Sequence, residues 1–251
     1  MSPSRRSRIL PSDDARWVFN RLAAAYPARP GYPAALVERL AELAGGPGTR
    51  VVDLGAGTGL LALPLAARGL AVTAVEPARA MLDALRGTPG VVPVHATAEQ
   101  SGLAAGSADL VLLADALHWI DPAAGAAEAR RLLAHPGVLA VVTPRLADTP
   151  FLRALSARIA GANAKAQPQP PPVALFFSEA RLPPPAVEPF EHAVALDAAS
   201  LDGVLRSLSY VGPALGPAAL DALLTEVRAL AEAHGGAVWK RDLELAWARR
   251  D

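Results

Sequence analysis

The chain has 251 residues, 52% of them hydrophobic, enough to build one large domain or two small ones. Lys+Arg and Asp+Glu number 24 each, so the formal net charge is zero, which argues against the broadly basic surface that binding a phosphate backbone requires. There is no cysteine, which excludes disulfides, cysteine-zinc sites and thiol nucleophiles.

Residues 1–12 are basic and lack a following apolar run, so they read as a flexible tail rather than a secretory signal. Apolar runs elsewhere are broken well short of the roughly 18 residues of a membrane span. A cytoplasmic protein with no membrane partner is expected. From residue 13 onward a single domain is expected. Asp13 and Asp14 open a helix that carries Trp17, Phe19 (or Val18) and Leu22 inward and reaches about Tyr26. A rigid turn from Pro27 to Pro33 leads into a second helix through about Leu43, and the glycines at 45, 46 and 48 stop it. These helices form an N-terminal unit, 13–46.

Between 47 and 145, apolar runs suited to buried parallel strands fall at 50–54, 71–75, 91–95, 108–113 and 137–142. Helical patterns fill 59–68, 77–86 and 122–134. This βαβ alternation predicts an α/β fold: a doubly wound, Rossmann-like, mostly parallel sheet, whose ligands sit beyond the carboxyl ends of the strands. Residues 146–186 interrupt the alternation with a helix at 151–160 and proline runs at 168–172 and 183–185, read as an insertion or partial lid. Residues 187–251 supply a sixth strand at 187–195, helices at 197–208, capped by Asp197, and 217–232, and a last strand at 241–248. The whole makes a seven-stranded sheet.

The most informative stretch is Val51-Val52-Asp53-Leu54-Gly55-Ala56-Gly57-Thr58-Gly59. It is a buried strand entering a turn whose glycines permit positive φ and close approach of a ligand to the backbone. The next strand ends at Glu76-Pro77. An acid there can accept two hydrogen bonds from ribose hydroxyls, or it can cap the following helix, with Pro77 in its first turn. The pattern G-x-G-x-x-G fails at Leu60, and no phosphate-loop lysine lies near. The expected ligand is a nucleoside with a compact polar tail.

These residues resemble the first two motifs of class I S-adenosylmethionine-dependent methyltransferases. Ala96–Glu99 resembles their adenine-side segment, and Ser107–Leu113 with Ala114-Asp115-Ala116-Leu117-His118-Trp119 resembles the fourth-strand motif of small-molecule members, of trans-aconitate or quinone-biosynthesis type. Tyr26, Arg29 and Tyr32 resemble that subgroup's N-terminal gate, and Arg206–Tyr210 a late substrate-side segment. The resemblance implies the cofactor S-adenosyl-L-methionine, with S-adenosyl-L-homocysteine as product. It implies that Gly55, Ala56 and Gly57 pack on the methionine part and that Asp53 orders the turn or reaches the amino group. Glu76 and Pro77 would meet the ribose, Ala98 and Glu99 the adenine. The Ala114 carbonyl would take the ammonium and Arg29 the carboxylate.

His118 is the expected catalytic residue, as a base or as a group that orients the acceptor, unless it only walls the pocket. Tyr26, Tyr32, His118, Trp119, Ser207 and Tyr210 are the expected acceptor lining. No metal site is expected. The expected partner is a small molecule, and the chain would be a monomer or homodimer. The competing functions are a non-catalytic S-adenosylmethionine-binding regulator and, less favoured because of Leu60, an NAD-dependent oxidoreductase.

Overall fold

The computed structural model describes residues 18–163 and 170–251. The expected tail, the helix start at Asp13 and the inward Trp17 lie outside these residues. Five parallel strands, β1 (Arg50–Leu54), β2 (Ala71–Val75), β3 (Val91–Val94), β4 (Ala108–Ala114) and β5 (Leu133–Leu146), are joined by β6 (Ala186–Leu196) and β7 (Ala237–Arg250). The order is β3-β2-β1-β4-β5-β7-β6, with β7 antiparallel to β5 and β6 antiparallel to β7. The strand order reverses between β1 and β4, and that switch point opens a crevice at their carboxyl ends.

Alternation along the central strands divides the core into two layers. Val51, Leu110, Leu112, Val138, Ala140 and Val142 face α2 (Ala34–Ala44) and α3 (Ala62–Ala66). Val52, Leu54, Val111, Leu113, Leu139 and Val141 face α5 (Pro122–Leu132) and α7 (Val173–Glu179). A third cluster joins α6 (Pro150–Ala162), α8 (Ala198–Ser207) and α9 (Pro217–Ala233) through Phe151, Leu155, Leu205, Leu223 and Trp239. The short α1 (Val18–Leu22) and α4 (Arg79–Leu82) pack on each other through Leu22, Ala78 and Met81. Side-chain caps start three helices: Asp121 accepts from Ala124 N–H at 2.9 Å, Thr149 from Leu152 N–H at 3.2 Å, and Asp197 from Ser200 N–H at 2.7 Å.

Several boundaries differ from the sequence expectation. The helix expected from 59 begins at Ala62, because Gly55, Gly57 and Gly59 all have positive φ and spend those residues in the turn. The helix expected at 77–86 divides into α4 and a 3-10 turn, Asp83–Leu85. The first helix ends at Leu22, and Pro27 sits in the first turn of a separate 3-10 turn, Tyr26–Ala28. The proline-rich segment read as a lid needs correcting in its described part. Residues 173–179 form a helix whose Phe176 and Phe177 are buried in the layer beside α5, and Arg130 donates to the carbonyls of Ala180 and Arg181. Proline flanks that helix without interrupting it, and two buried phenylalanines commit it to the core.

Candidate functional site

The crevice forms where β1, β2 and β4 end. Gly55 and Ala56 donate their N–H groups to the Val75 carbonyl at 2.8 and 3.1 Å, which ties the glycine turn to the tip of β2. Gly55 has φ of 79°, and an added Cβ would stand 2.7 Å from the Ala116 Cβ, so this position admits only glycine. An added Cβ at Gly57 would reach toward the Tyr26 ring, 3.5 Å away, across the space the turn leaves open.

Glu76 closes the turn from the other side. It is 6% exposed, and its two oxygens accept the Gly57 N–H at 2.9 Å and the Ala78 N–H at 2.8 Å. Burial raises its pKa, and the two N–H bonds pull it back down. Glu76 thus ties the glycine turn to Ala78, the residue before α4, and it borders the crevice. Asp53 lies beneath the turn at 2% exposure, with its Oδ1 buried and unpartnered among the described residues. Burial, reinforced by the Glu76 charge, pushes its pKa up to about 7.

Of the expected cofactor residues, Gly55, Gly57, Glu76, Pro77, Ala98, Glu99 and Ala114 line one cavity. Ala56 packs toward the α2–α3 layer, Asp53 sits below the floor, and Arg29 stands behind Tyr26. Of the expected acceptor residues, Tyr26 and Trp119 line the same cavity. Phe19 meets Trp119 edge-on at 5.1 Å and Tyr26 at 6.4 Å, making an aromatic wall.

The other acceptor residues stand elsewhere. Ser207 is 0% exposed; its Oγ accepts from Arg29 Nε at 3.0 Å and donates to the Val204 carbonyl at 2.6 Å. It is a support for Arg29, which corrects its reading as pocket lining. Tyr32 packs against the α2–α3 layer under Arg241, whose guanidinium lies 5.3 Å from its ring centre, and burial raises its pKa. Tyr210 packs on the C-terminal helical cluster. His118 is exposed, with its ring 5.1 Å from that of Trp119, on the rim and outside the cavity lining. Burial of part of the ring lowers its pKa against the opposing pull of Asp115, which leaves the imidazole neutral at pH 7.

Sequence reasoning gave no individual role to Asp115, Met81, Thr97 or Ile120, all of which line the cavity. Asp115 has φ of 50°, a conformation uncommon outside glycine, and lies 3.6 Å from Arg29. Burial raises its pKa, and Arg29 opposes that shift. Among the described residues no group of three or more His, Cys, Asp or Glu could hold a metal, and no helix is long and apolar enough to cross a membrane.

Strand order, glycine turn and neighbouring acid define a class: the fold is that of class I S-adenosylmethionine-dependent methyltransferases. Residues 52–141 match the family described as "Methyltransferase domain". It is 41% identical over 143 residues to an uncharacterized methyltransferase of Mycobacterium tuberculosis, an alignment that covers 57% of this chain and 55% of the relative. The chain thus spans about half the length of the curated relatives it matches. A solved protein of Anaeromyxobacter dehalogenans, provisionally described as a type II methyltransferase, superposes with a TM-score of 0.63 at 28% identity, covering 88% of this chain and 97% of that one. Geranyl diphosphate C-methyltransferase of Streptomyces coelicolor A3(2), solved with Mg2+, a thiolo analogue of its substrate and S-adenosyl-L-homocysteine, shares the fold. Its TM-score is 0.50 at 16% identity, with 87% of this chain and 76% of that one covered.

Proposed function

We propose that the chain transfers a methyl group from S-adenosyl-L-methionine to a small-molecule acceptor by in-line displacement, releasing S-adenosyl-L-homocysteine. The observation that carries this reading is the crevice itself, bounded by Gly55 and Gly57 at one side and Glu76 at the other. The donor set fits a nucleoside with a charged tail. A buried carboxylate borders the place for a ribose, and a Cβ-free backbone leaves room for a thioether chain. Below lies an acid, Asp53, with an unsatisfied oxygen. When bound, S-adenosylmethionine supplies an electrophilic methyl on a sulfonium.

The chain's own residues position and enclose. Phe19, Tyr26 and Trp119 present aromatic rings at the crevice, a surface that favours a cation and sheds water. Holding two reactants in line can supply up to about 7–11 kcal/mol of the barrier reduction, with no oxyanion hole required. Arg29 is assigned to the cofactor carboxylate and the Ala114 carbonyl to its ammonium. His118, neutral at pH 7 on the rim beyond Trp119, is assigned to orient the acceptor or take its proton.

Incubation with S-adenosylmethionine and a panel of carboxylic acids, phenols and amines tests the reading, with S-adenosylhomocysteine and methylated product quantified together. Equimolar appearance of the two supports it. Tight S-adenosylhomocysteine binding with no turnover across the panel replaces it with a regulatory module, and tight NADH binding without S-adenosylhomocysteine binding replaces it with an oxidoreductase.

A further inference from the structure

A second concavity lies at the other end of the sheet, where β4 and β5 begin and β7 ends. It is a cavity of about 600 Å³, lined by Arg130, Arg131, His135 and Arg250 together with small residues such as Ala127 and Ala134. No acidic side chain among the described residues is part of that lining. β4 runs from this end of the sheet to the crevice, and its 7 residues, at about 3.3 Å each, separate the two by about 20 Å.

The charges in this cavity do not balance. Arg131 is already paired: its Nε and Nη2 donate to the Glu128 carboxylate, both at 2.7 Å. Arg250 Nη1 instead donates to the carbonyls of Arg130 and Leu133 at the end of α5, at 2.7 and 2.9 Å. Arg130 Nη1 donates to the carbonyls of Ala180 and Arg181, both at 3.0 Å. Neutral oxygens thus fix both guanidinium groups, and neither forms an ion pair among the described residues. Arg250 Nε is buried and has no hydrogen-bond partner among those residues. Burial and the nearby Arg130 charge both lower the Arg250 pKa, so the two cations oppose each other. Asp251 is exposed; its main-chain oxygen meets His135 Nδ1 at 3.0 Å, and its carboxylate pairs with neither arginine among the described residues.

We propose that this cavity binds a phosphate monoester of a small organic molecule, with Arg130, Arg250 and His135 holding the phosphate. Such a group carries about −1.5 to −2 charge at pH 7, which offsets the two unpaired cations. Its terminal oxygens diverge, and the donors stand on three elements: Arg130 near the end of α5, His135 near the start of β5 and Arg250 at the end of β7. A carboxylate is planar and matches a single guanidinium fork. At about 30 Å³ for each water, the cavity has room for roughly twenty, several times what a bare phosphate needs, so an organic body fits beside Ala127 and Ala134. The site does not depend on the methyl-transfer reading, since it shares no residue with the crevice.

The test is isothermal titration of the full chain, at constant ionic strength, with ribose 5-phosphate, inorganic phosphate and citrate. The wild type should bind ribose 5-phosphate with a Kd below about 1 mM, and about tenfold or more tightly than the other two anions. Arg130→Gln should weaken that binding by roughly 10- to 100-fold, the weight of a charge-assisted hydrogen bond, and leave S-adenosylhomocysteine affinity within about twofold. Arg130 also holds two carbonyls, so a second variant guards against loss of the fold. Ala127→Glu sets an acid in the lining, at an exposed position of α5 that accepts a helix former. It should abolish ribose 5-phosphate binding with Tm unchanged. Binding that persists in both variants, binding that S-adenosylhomocysteine competes away, equal binding of all three anions, or no binding by the wild type overturns the proposal.

Discussion

Replacing Asp53 by asparagine should change how the stability of this protein depends on pH. In the fold the Asp53 carboxyl titrates at about 7; in the unfolded chain it titrates near 3.9. Between about pH 4 and pH 7 the native state holds a proton that the unfolded state has released. Stability therefore falls as pH rises through that window, by about 1.4 kcal/mol per unit and about 4 kcal/mol in all. Below pH 4 both states are protonated and nothing is lost. Asparagine cannot ionise, so the variant should lack this decline.

The amide carries its own cost, because a buried polar group without a partner destabilises by about 1–3 kcal/mol. Asp53→Asn should accordingly be the less stable protein at pH 4 and the more stable one at pH 8, by about 1–3 kcal/mol at each end. For a chain of this size that is about 2–12 °C in Tm. Glu76, whose pKa is also raised by burial, adds a decline of the same sign that both proteins share. Urea unfolding of the two proteins at intervals from pH 4 to pH 8 makes the comparison. Stability curves that run parallel across the series would refute the assignment of a buried, unpaired acid at position 53. Crossing curves with saturating S-adenosylhomocysteine flattening the wild-type slope would extend it, since a bound ammonium nearby favours the ionised acid.

Other outcomes follow from single contacts. Glu76→Ala removes two charge-assisted bonds to backbone N–H groups as well as the expected ribose contact, and should weaken S-adenosylhomocysteine binding by about 1–3 kcal/mol in titration calorimetry; unchanged affinity would take Glu76 out of the site. Gly59→Ala should lower stability by about 1–3 kcal/mol in thermal unfolding, because φ is 85° and the new Cβ would stand 2.4 Å from the Leu85 Cδ2; an unshifted Tm would contradict that packing. His118→Ala should reduce turnover more than cofactor affinity; equal loss of both would make His118 a wall of the cofactor site.

The parts of this fold that repeat were readable in advance. Runs such as Leu110–Leu113 and Val138–Val142 are apolar on both faces because both faces are covered, and that leaves an unambiguous mark. Glycines that must adopt positive φ are marked as plainly. What escaped depends on where separate segments meet. Ser207 looked like a polar lining residue, yet its hydroxyl is consumed by Arg29, 178 positions away. The approach of α8 to the Tyr26–Ala28 turn rests on Gly203, where a Cβ would stand 2.5 Å from that of Ala28, and a lone glycine in a helix pattern does not name its neighbour. The helix Val173–Glu179 hid among prolines, whose local preference is overridden by two phenylalanines finding the core. Asp115 could have been found: it follows an apolar strand at the same sheet edge as Asp53 and Glu76, and the rule applied to those two applies to it.

Each outer strand of the sheet contains a proline, Pro93 in β3 and Pro189 in β6. A proline has no amide hydrogen to offer a newcomer, and on β6 it is flanked by Glu188 and Glu191. Open sheets invite stray chains to lengthen them, and these rims are built to discourage such growth. The long edge strand β6 can therefore border solvent without recruiting further strands.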